Sequence, residues 1–207
     1  QPLRLRLRMI HQRAFSGDYA VCMPLGLRAD RSRAHLDYPS WADAEADGAL
    51  LLRQDIRLLP HLFDVGIHEY VRLVDMGVID PDRIHHFRCH YASEKFAPVV
   101  DELMSKAGLA IPRERWYSNL ITRGNTGAAS IFIMLDEFLR TRTLSPGEQI
   151  LCFVPESGRF TVSFILIEVE ANDAPPALLP RAQPQTTASP DDAPMIVPPP
   201  PSKAVSA

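Results

Sequence analysis

Apolar positions recur with two different periods through the first 170 residues, and the recurrence then stops. Leu and Arg alternate in the opening "QPLRLRLRMI". That is the period of a half-buried strand, so residues 3–10 are read as a first strand. A second strand is read near residues 19–23. Residues 26–48 are polar and rich in Arg, Asp and Ser. A connection of that length should cover something or move. Beyond it, Leu59, Leu62, Phe63, Tyr70, Leu73 and Val74 fall largely on one helical face. Asp55 can cap the start of this helix and Gly77 can end it. Pro60 and Gly66 should kink or shorten it.

The pattern continues in short blocks. "DPDRIHHFRCH" reads as a capped turn and a short strand. "ASEKFAPVVDELMSKAG" reads as a helix, with Lys106 in its last turn and Gly108 as its stop. "RWYSNLI" reads as a strand, "AASIFIMLDEFLRTR" as a helix and "SPGEQ" as a turn. "QILCFVPESGRFTVSFILIEVE" reads as two strands around a turn, apolar enough to be central in a sheet. Strands and helices in this order predict an α/β fold in layers, a mixed sheet packed by helices.

From Asn172 the composition changes. Ten of the chain's 19 prolines lie between Pro175 and Pro201, among Ala, Ser, Thr and Asp. Such a segment buries too little apolar surface to offset its ordering entropy. The expected division is a folded domain over residues 1–170 and a disordered Pro/Ala-rich tail over 171–207. "PPPP" at residues 198–201 should adopt polyproline II, where a proline-reading partner is a lesser alternative.

Composition adds exclusions. The net charge is −3, so no basic field invites nucleic acid. No apolar run approaches the ~18 residues of a membrane span. Cys22, Cys89 and Cys152 are few, odd in number and far apart. They suggest free thiols in a reducing, cytoplasmic setting rather than a disulfide framework. The chain has no initiator Met and opens inside a strand-like pattern, so a fragment or processed chain is expected.

Two constellations carry chemistry. "HHFRCHY" holds three histidines and a cysteine within six residues. Zinc would suit such ligands. On a strand, however, His86 and His90 stand about 13 Å apart at ~3.3 Å per residue. No second His/Cys cluster completes a shell, so no metal and no cofactor is expected. His90 instead marks a strand-to-helix junction, where side chains project into the cleft of an α/β sheet. A like junction follows 35 residues later, where Gly124 turns the chain and Asn125 opens the next helix. An imidazole and a carboxamide can both donate hydrogen bonds, and together they could hold one developing oxyanion.

These residues resemble a known family. "CHYASEKF", followed by "RGNTGAASIFIMLDEFLRTRTLSPGEQILCFVPESGRF", is similar to the C-terminal half of β-ketoacyl-acyl-carrier-protein synthase III, a thiolase-fold condensing enzyme. The likeness covers residues 53–169, and its most specific pieces are the "GNTGAAS" run and the preceding "HYAS". The resemblance implies an acyltransferase. His90 and Asn125 would be its catalytic pair, hydrogen-bonding a malonyl thioester oxygen while decarboxylation generates the carbanion that joins an acyl group. It implies substrate contacts from Phe87, Gly124, Gly158 and Phe160. Core packing competes as a reading of Phe87 and of Phe153. The implied ligands are acyl and malonyl thioesters of an acyl carrier protein or coenzyme A, in fatty acid or polyketide biosynthesis.

The departures are specific. The family's nucleophilic Cys belongs to an N-terminal half, and none of the three cysteines here matches it. Ser93 stands where the family usually has Asn, and Glu156 and Arg159 interrupt the glycines of the hairpin. The expected partner is therefore an N-terminal half or a homologous subunit. The alternative function is a non-catalytic, thiolase-like subunit that stabilises or regulates a condensing enzyme.

Overall fold

The computed structural model describes residues 3–171. The predicted Pro-rich tail lies outside them. Five strands form one sheet: β1 (Leu3–Ala14), β2 (Ile84–Cys89), β3 (Trp116–Tyr117), β4 (Gln149–Glu156) and β5 (Thr161–Ala171). Their order is β1-β5-β4-β2-β3. The β1–β5–β4 side is antiparallel, whereas β2 runs parallel to both β4 and β3. The mixed sheet follows from connectivity: β4 returns into β5 through a tight turn, whereas β2 reaches β3 and β4 through helical crossovers.

The helices are α1 (Trp41–Ala46), α2 (Leu59–Asp75), α3 (Ala97–Lys106), α4 (Leu120–Arg123) and α5 (Ser130–Thr141). One sheet face carries Leu151, Phe153, Phe164 and Leu166, which pack with Leu62, Phe63 and Tyr70 of α2 and with Val100 and Met104 of α3. The opposite face carries Ile150, Cys152, Ile167 and Val169, which pack with Ile131 and Phe138 of α5. The alternation along β4 and β5 feeds both layers, as expected of strands buried on two sides.

Pro60 lies in the first turn of α2, where its missing N–H is not needed, so it starts the helix instead of kinking it. Gly66 is mid-helix and buried. A Cβ there would stand 2.6 Å from the Phe153 ring. The glycine therefore sets how closely α2 approaches β4.

Several expected elements differ. Residues 19–23 are not a strand: Cys22 N–H bonds the Gly158 carbonyl, an isolated contact next to Pro24, which has no N–H to extend a ladder. The first strand runs on to Ala14. The long polar loop contains α1, a short turn over His35–Asp37 and a Leu27–Ala34 bridge. The strand read at "RWYSNLI" covers two residues, after which the chain turns helical as α4. Ser118 Oγ accepts the Leu120 N–H, a side-chain bond that favours a helix start over an extended ladder.

The Arg-bearing side of β1 is the more covered one, half-buried at Arg4 and Arg6. Arg4 and Arg6 both pair with Glu170, and Arg8 pairs with Glu168. Cross-strand ion pairing holds that side down. The apolar row on the other side stays uncovered, with Leu3, Leu5, Leu7 and Ile10 at 40%, 40%, 47% and 63% exposure.

The Gly66 contact predicts a measurable cost. Gly66→Ala gains about 1 kcal/mol of helix preference but overpacks a buried aromatic ring, which costs about 1–3 kcal/mol. The expected result is a lower denaturation midpoint, relieved in the double variant with Phe153→Leu. A midpoint equal to or above wild type for the single variant would contradict the packing.

Candidate active site

His90 follows β2 directly. Its N–H donates to the Phe153 carbonyl at 2.9 Å, which extends the parallel β2–β4 pairing by one bond. The ring is half-buried and makes no side-chain hydrogen bond among the described residues. Burial pushes its pKa below the usual histidine value. Desolvation disfavours the imidazolium, so the ring is neutral at pH 7, with one N–H to donate.

Asn125 is positioned by a different device. α4 closes with Gly124 N–H donating to the Leu120 carbonyl at 2.8 Å. Gly124 has φ 72° and ψ −178°, a region open essentially to glycine alone. Asn125 comes next, and its Oδ1 accepts the Gly127 N–H at 2.9 Å. That bond identifies the amide oxygen and leaves both Nδ2 protons available. Gly127, at φ 61°, permits the turn. Thr126 N–H then donates to Ser130 Oγ at 3.0 Å, fixing the entry to α5.

The two junctions are tied to each other. Glu94, just past His90, accepts from Ser118 Oγ at 3.0 Å and from Tyr91 Oη at 3.4 Å. Glu137 on α5 accepts from Asn119 Nδ2 at 2.9 Å and Arg123 Nε at 3.0 Å, gripping both ends of α4. The turn before Asn125 is thereby referenced to the loop after His90.

His90 and Asn125 line one cleft of about 570 Å³. Leu62, Phe63, Phe96 and Phe132 give it an apolar wall, and Gln12, Gln54, Glu156 and Ser157 give it polar groups. The other predicted contacts lie elsewhere. Phe87 is 1% exposed and packs edge-on against Trp116, so its apolar character serves the core. Phe160 is fully buried and stacks on Tyr19 at 4.4 Å. Phe153 stacks on Phe164 in the core. Gly124 and Gly158 adjoin the cleft in sequence but do not line it; their neighbours Asn125 and Ser157 do. Gly127 and Ala128 are exposed residues that line the cleft. Phe96 and Gln12 were missed: a phenylalanine in a helical pattern and a glutamine ending a strand read as packing and surface.

The hairpin has its own anion contact. Glu156 Oε1 accepts the Gly158 N–H at 2.6 Å and Oε2 the Arg159 N–H at 3.2 Å. Those backbone donors are occupied by this chain's own carboxylate. Cys22, Cys89 and Cys152 are all buried. Burial raises the Cys22 thiol, raises Cys89 well above its usual range and pushes Cys152 to about 12. None is set up as a thiolate nucleophile. His85 Nδ1 accepts the Gln149 N–H and His86 Nε2 bonds Glu148. Among the described residues no helix is long and apolar enough to cross a membrane.

Residues 76–166 match the family model described as 3-oxoacyl-[acyl-carrier-protein] synthase III C terminal. That span contains His90, Asn125 and the hairpin. A 122-residue stretch is 34% identical to an acetoacetyl CoA synthase of a Streptomyces species, covering 59% of this chain and 33% of that protein. An 80-residue stretch is 31% identical to a β-ketoacyl-[acyl-carrier-protein] synthase III of Streptococcus uberis, covering 37% and 23%. The chain thus spans a third or less of the curated relatives it matches. Among solved structures, 3-oxoacyl-(acyl carrier protein) synthase III of Pseudomonas aeruginosa superposes with a TM-score of 0.57 at 20% identity, over 82% of this chain and 45% of that one. A tetronic acid condensing enzyme superposes with the same score and identity, over 79% and 47%. The fold is a thiolase-like half.

The half-buried His90 ring predicts a pH response. Its folded pKa lies below the unfolded value of about 6.5, so its contribution to stability is present above that value. It is lost as pH falls through the lower, folded value. An NMR titration of the His90 ring is expected to show a midpoint below that of free histidine. A midpoint at or above 6.5 would contradict the neutral ring.

Proposed function

Taking residues 76–166 as the C-terminal domain of a synthase III-like condensing enzyme, we propose that this chain supplies the His/Asn pair for decarboxylative condensation of a malonyl thioester with an acyl group. The observation that carries this reading is the shared cleft: a neutral His90 and an Asn125 whose amide oxygen is already tied to Gly127 N–H both line it. The donors left over, one ring N–H and the Nδ2 protons, suit a thioester carbonyl oxygen. As the malonyl carboxylate leaves as CO₂, its bonding electron pair moves into the thioester and charge grows on that oxygen. Preorganised neutral donors stabilise such charge without reorganising. The carbanion then attacks the carbonyl of an acyl thioester, and the acyl group's thiolate departs.

That acyl thioester needs a cysteine this chain does not provide. Its three thiols are buried and held protonated. We assign the nucleophile to an N-terminal half or homologous subunit. The uncovered apolar row on β1 supports such a partner: Leu3, Leu5, Leu7 and Ile10 form a sheet face for another layer. The acyl and malonyl groups would arrive on an acyl carrier protein or coenzyme A. A cytoplasmic setting suits free thiols.

The same uncovered face favours a second reading, a non-catalytic subunit that stabilises or regulates a complete condensing enzyme. Glu156 adds to it, because its carboxylate consumes hairpin N–H groups that would otherwise face an acyl oxyanion.

The two readings separate in one experiment. This chain is co-expressed with a cysteine-bearing N-terminal half, and CO₂ release from malonyl thioester is measured. Asn125→Ala and His90→Ala are each expected to lower the rate by about 10²–10³. Wild-type rates in both variants, with the complex intact, would remove the catalytic role and leave the supporting one.

A further inference from the structure

On the α5 side of β2, Arg88 is 1% exposed and heads the largest fully buried side chains. Its guanidinium lies 3.5 Å over the Phe138 ring and 5.0 Å from that of Tyr117. Nη1 donates to the Phe87 carbonyl at 2.7 Å and to the Arg115 carbonyl at 3.4 Å. Nε and Nη2 have no hydrogen-bond partner. Those two nitrogens form one lateral edge of the guanidinium, the fork that binds carboxylate or phosphate through two parallel bonds. Among the described residues Arg88 has no ion-pair partner. Burial lowers its pKa to about 10, so it remains a cation at neutral pH. A buried charge without a counter-charge is strongly unfavourable, and native proteins pair such groups.

Arg88 lines a cavity of about 160 Å³ that shares no lining residue with the His90 cleft. Exposed Arg142, just past α5, stands at it too, and its charge disfavours the charge of Arg88. Among the described residues Arg142 has neither an ion pair nor a side-chain hydrogen bond. His85 also lines the cavity; its Nδ1 accepts the Gln149 N–H, so a neutral ring keeps its proton on Nε2 as a donor. Two carboxylates are close by. Glu148 is spent on His86, and Glu114 is an exposed lining residue with no bond to either arginine.

We propose that this cavity binds a small oxyanion of the phosphate class, seated on the free edge of Arg88 and closed over by Arg142. Arg115 lines the cavity too, its Nη1 donating to the Ile84 and Asp82 carbonyls, and three arginines with no ion pair among the described residues favour a dianion over a monocarboxylate. Because Nε and Nη2 are shut off from solvent, seating the anion requires the side chains packed around the guanidinium, among them Phe138 and Tyr117, to yield. The inference is independent of the role assigned to His90 and Asn125.

The test is calorimetric titration of the full chain with inorganic phosphate at constant ionic strength, with acetate as the second arm. Saturable one-to-one phosphate binding is expected, with acetate weaker. Losing one charge-assisted contact in Arg142→Gln should weaken binding by roughly tenfold. Arg88→Met should abolish it, and Lys106→Gln on α3 should leave it as in wild type. Absence of saturable phosphate binding would overturn the proposal. So would acetate binding as tightly as phosphate, or an equal loss in Lys106→Gln. Should Arg88→Met fail to fold, the exposed Arg142 variant still decides.

Discussion

One backbone hydrogen bond beyond the end of β2 governs the rest of the site. His90 N–H to the Phe153 carbonyl carries the parallel pairing of β2 and β4 one residue past the strand. The imidazole is therefore delivered by the sheet and not by a free loop. A parallel sheet opens its clefts at the carboxyl ends of its strands, and His90 stands at that end. Everything else at the site is referenced to it. Glu94 couples the loop after His90 to Ser118, Ser118 Oγ accepts the N–H of Leu120 at the start of α4, and α4 ends at the glycine that turns Asn125 into the cleft. A shift of β2 against β4 would move one donor and, through that chain of bonds, the other.

The close packing of the sheet makes such a shift costly. Gly66 lets α2 press on Phe153, the residue whose carbonyl holds His90. The α2 layer supports the site at second hand: it fixes β4, β4 fixes His90, and its own start contributes Leu62 and Phe63 to the cleft wall. Preorganisation of this kind is what electrostatic stabilisation of a growing oxyanion requires, since donors already in place need not be moved during the reaction.

Much of this was legible in the sequence, for reasons that can be named. The "GNTGAAS" run declared both the turn and the amide, because only glycine tolerates the Gly124 backbone. The two-sided burial of β4 and β5 was legible in their continuous apolar character. What was not legible depends on contacts between distant residues. The alternation in β1 could not say which face is covered; that is decided by Glu168 and Glu170, more than 150 positions away. Phe87 and Phe160 have the composition of a pocket wall and the position of a core. The helix at 120–123 is set by Ser118 and Asn119 side chains, which a strand pattern conceals. The proposed tail lies outside the described residues.

The described residues thus bring His90 and Asn125 to one cleft of a thiolase-like fold, with all three thiols buried and the apolar row of β1 bare. His90 and Asn125 are proposed to act together on one thioester oxygen. The most direct measurement is an NMR titration with a non-hydrolysable malonyl thioester analogue, following the Asn125 Nδ2 protons and the His90 ring together. Both are expected to respond in parallel, with one shared dissociation constant. A ligand that shifts one and leaves the other unmoved, or binds without moving either, would contradict this.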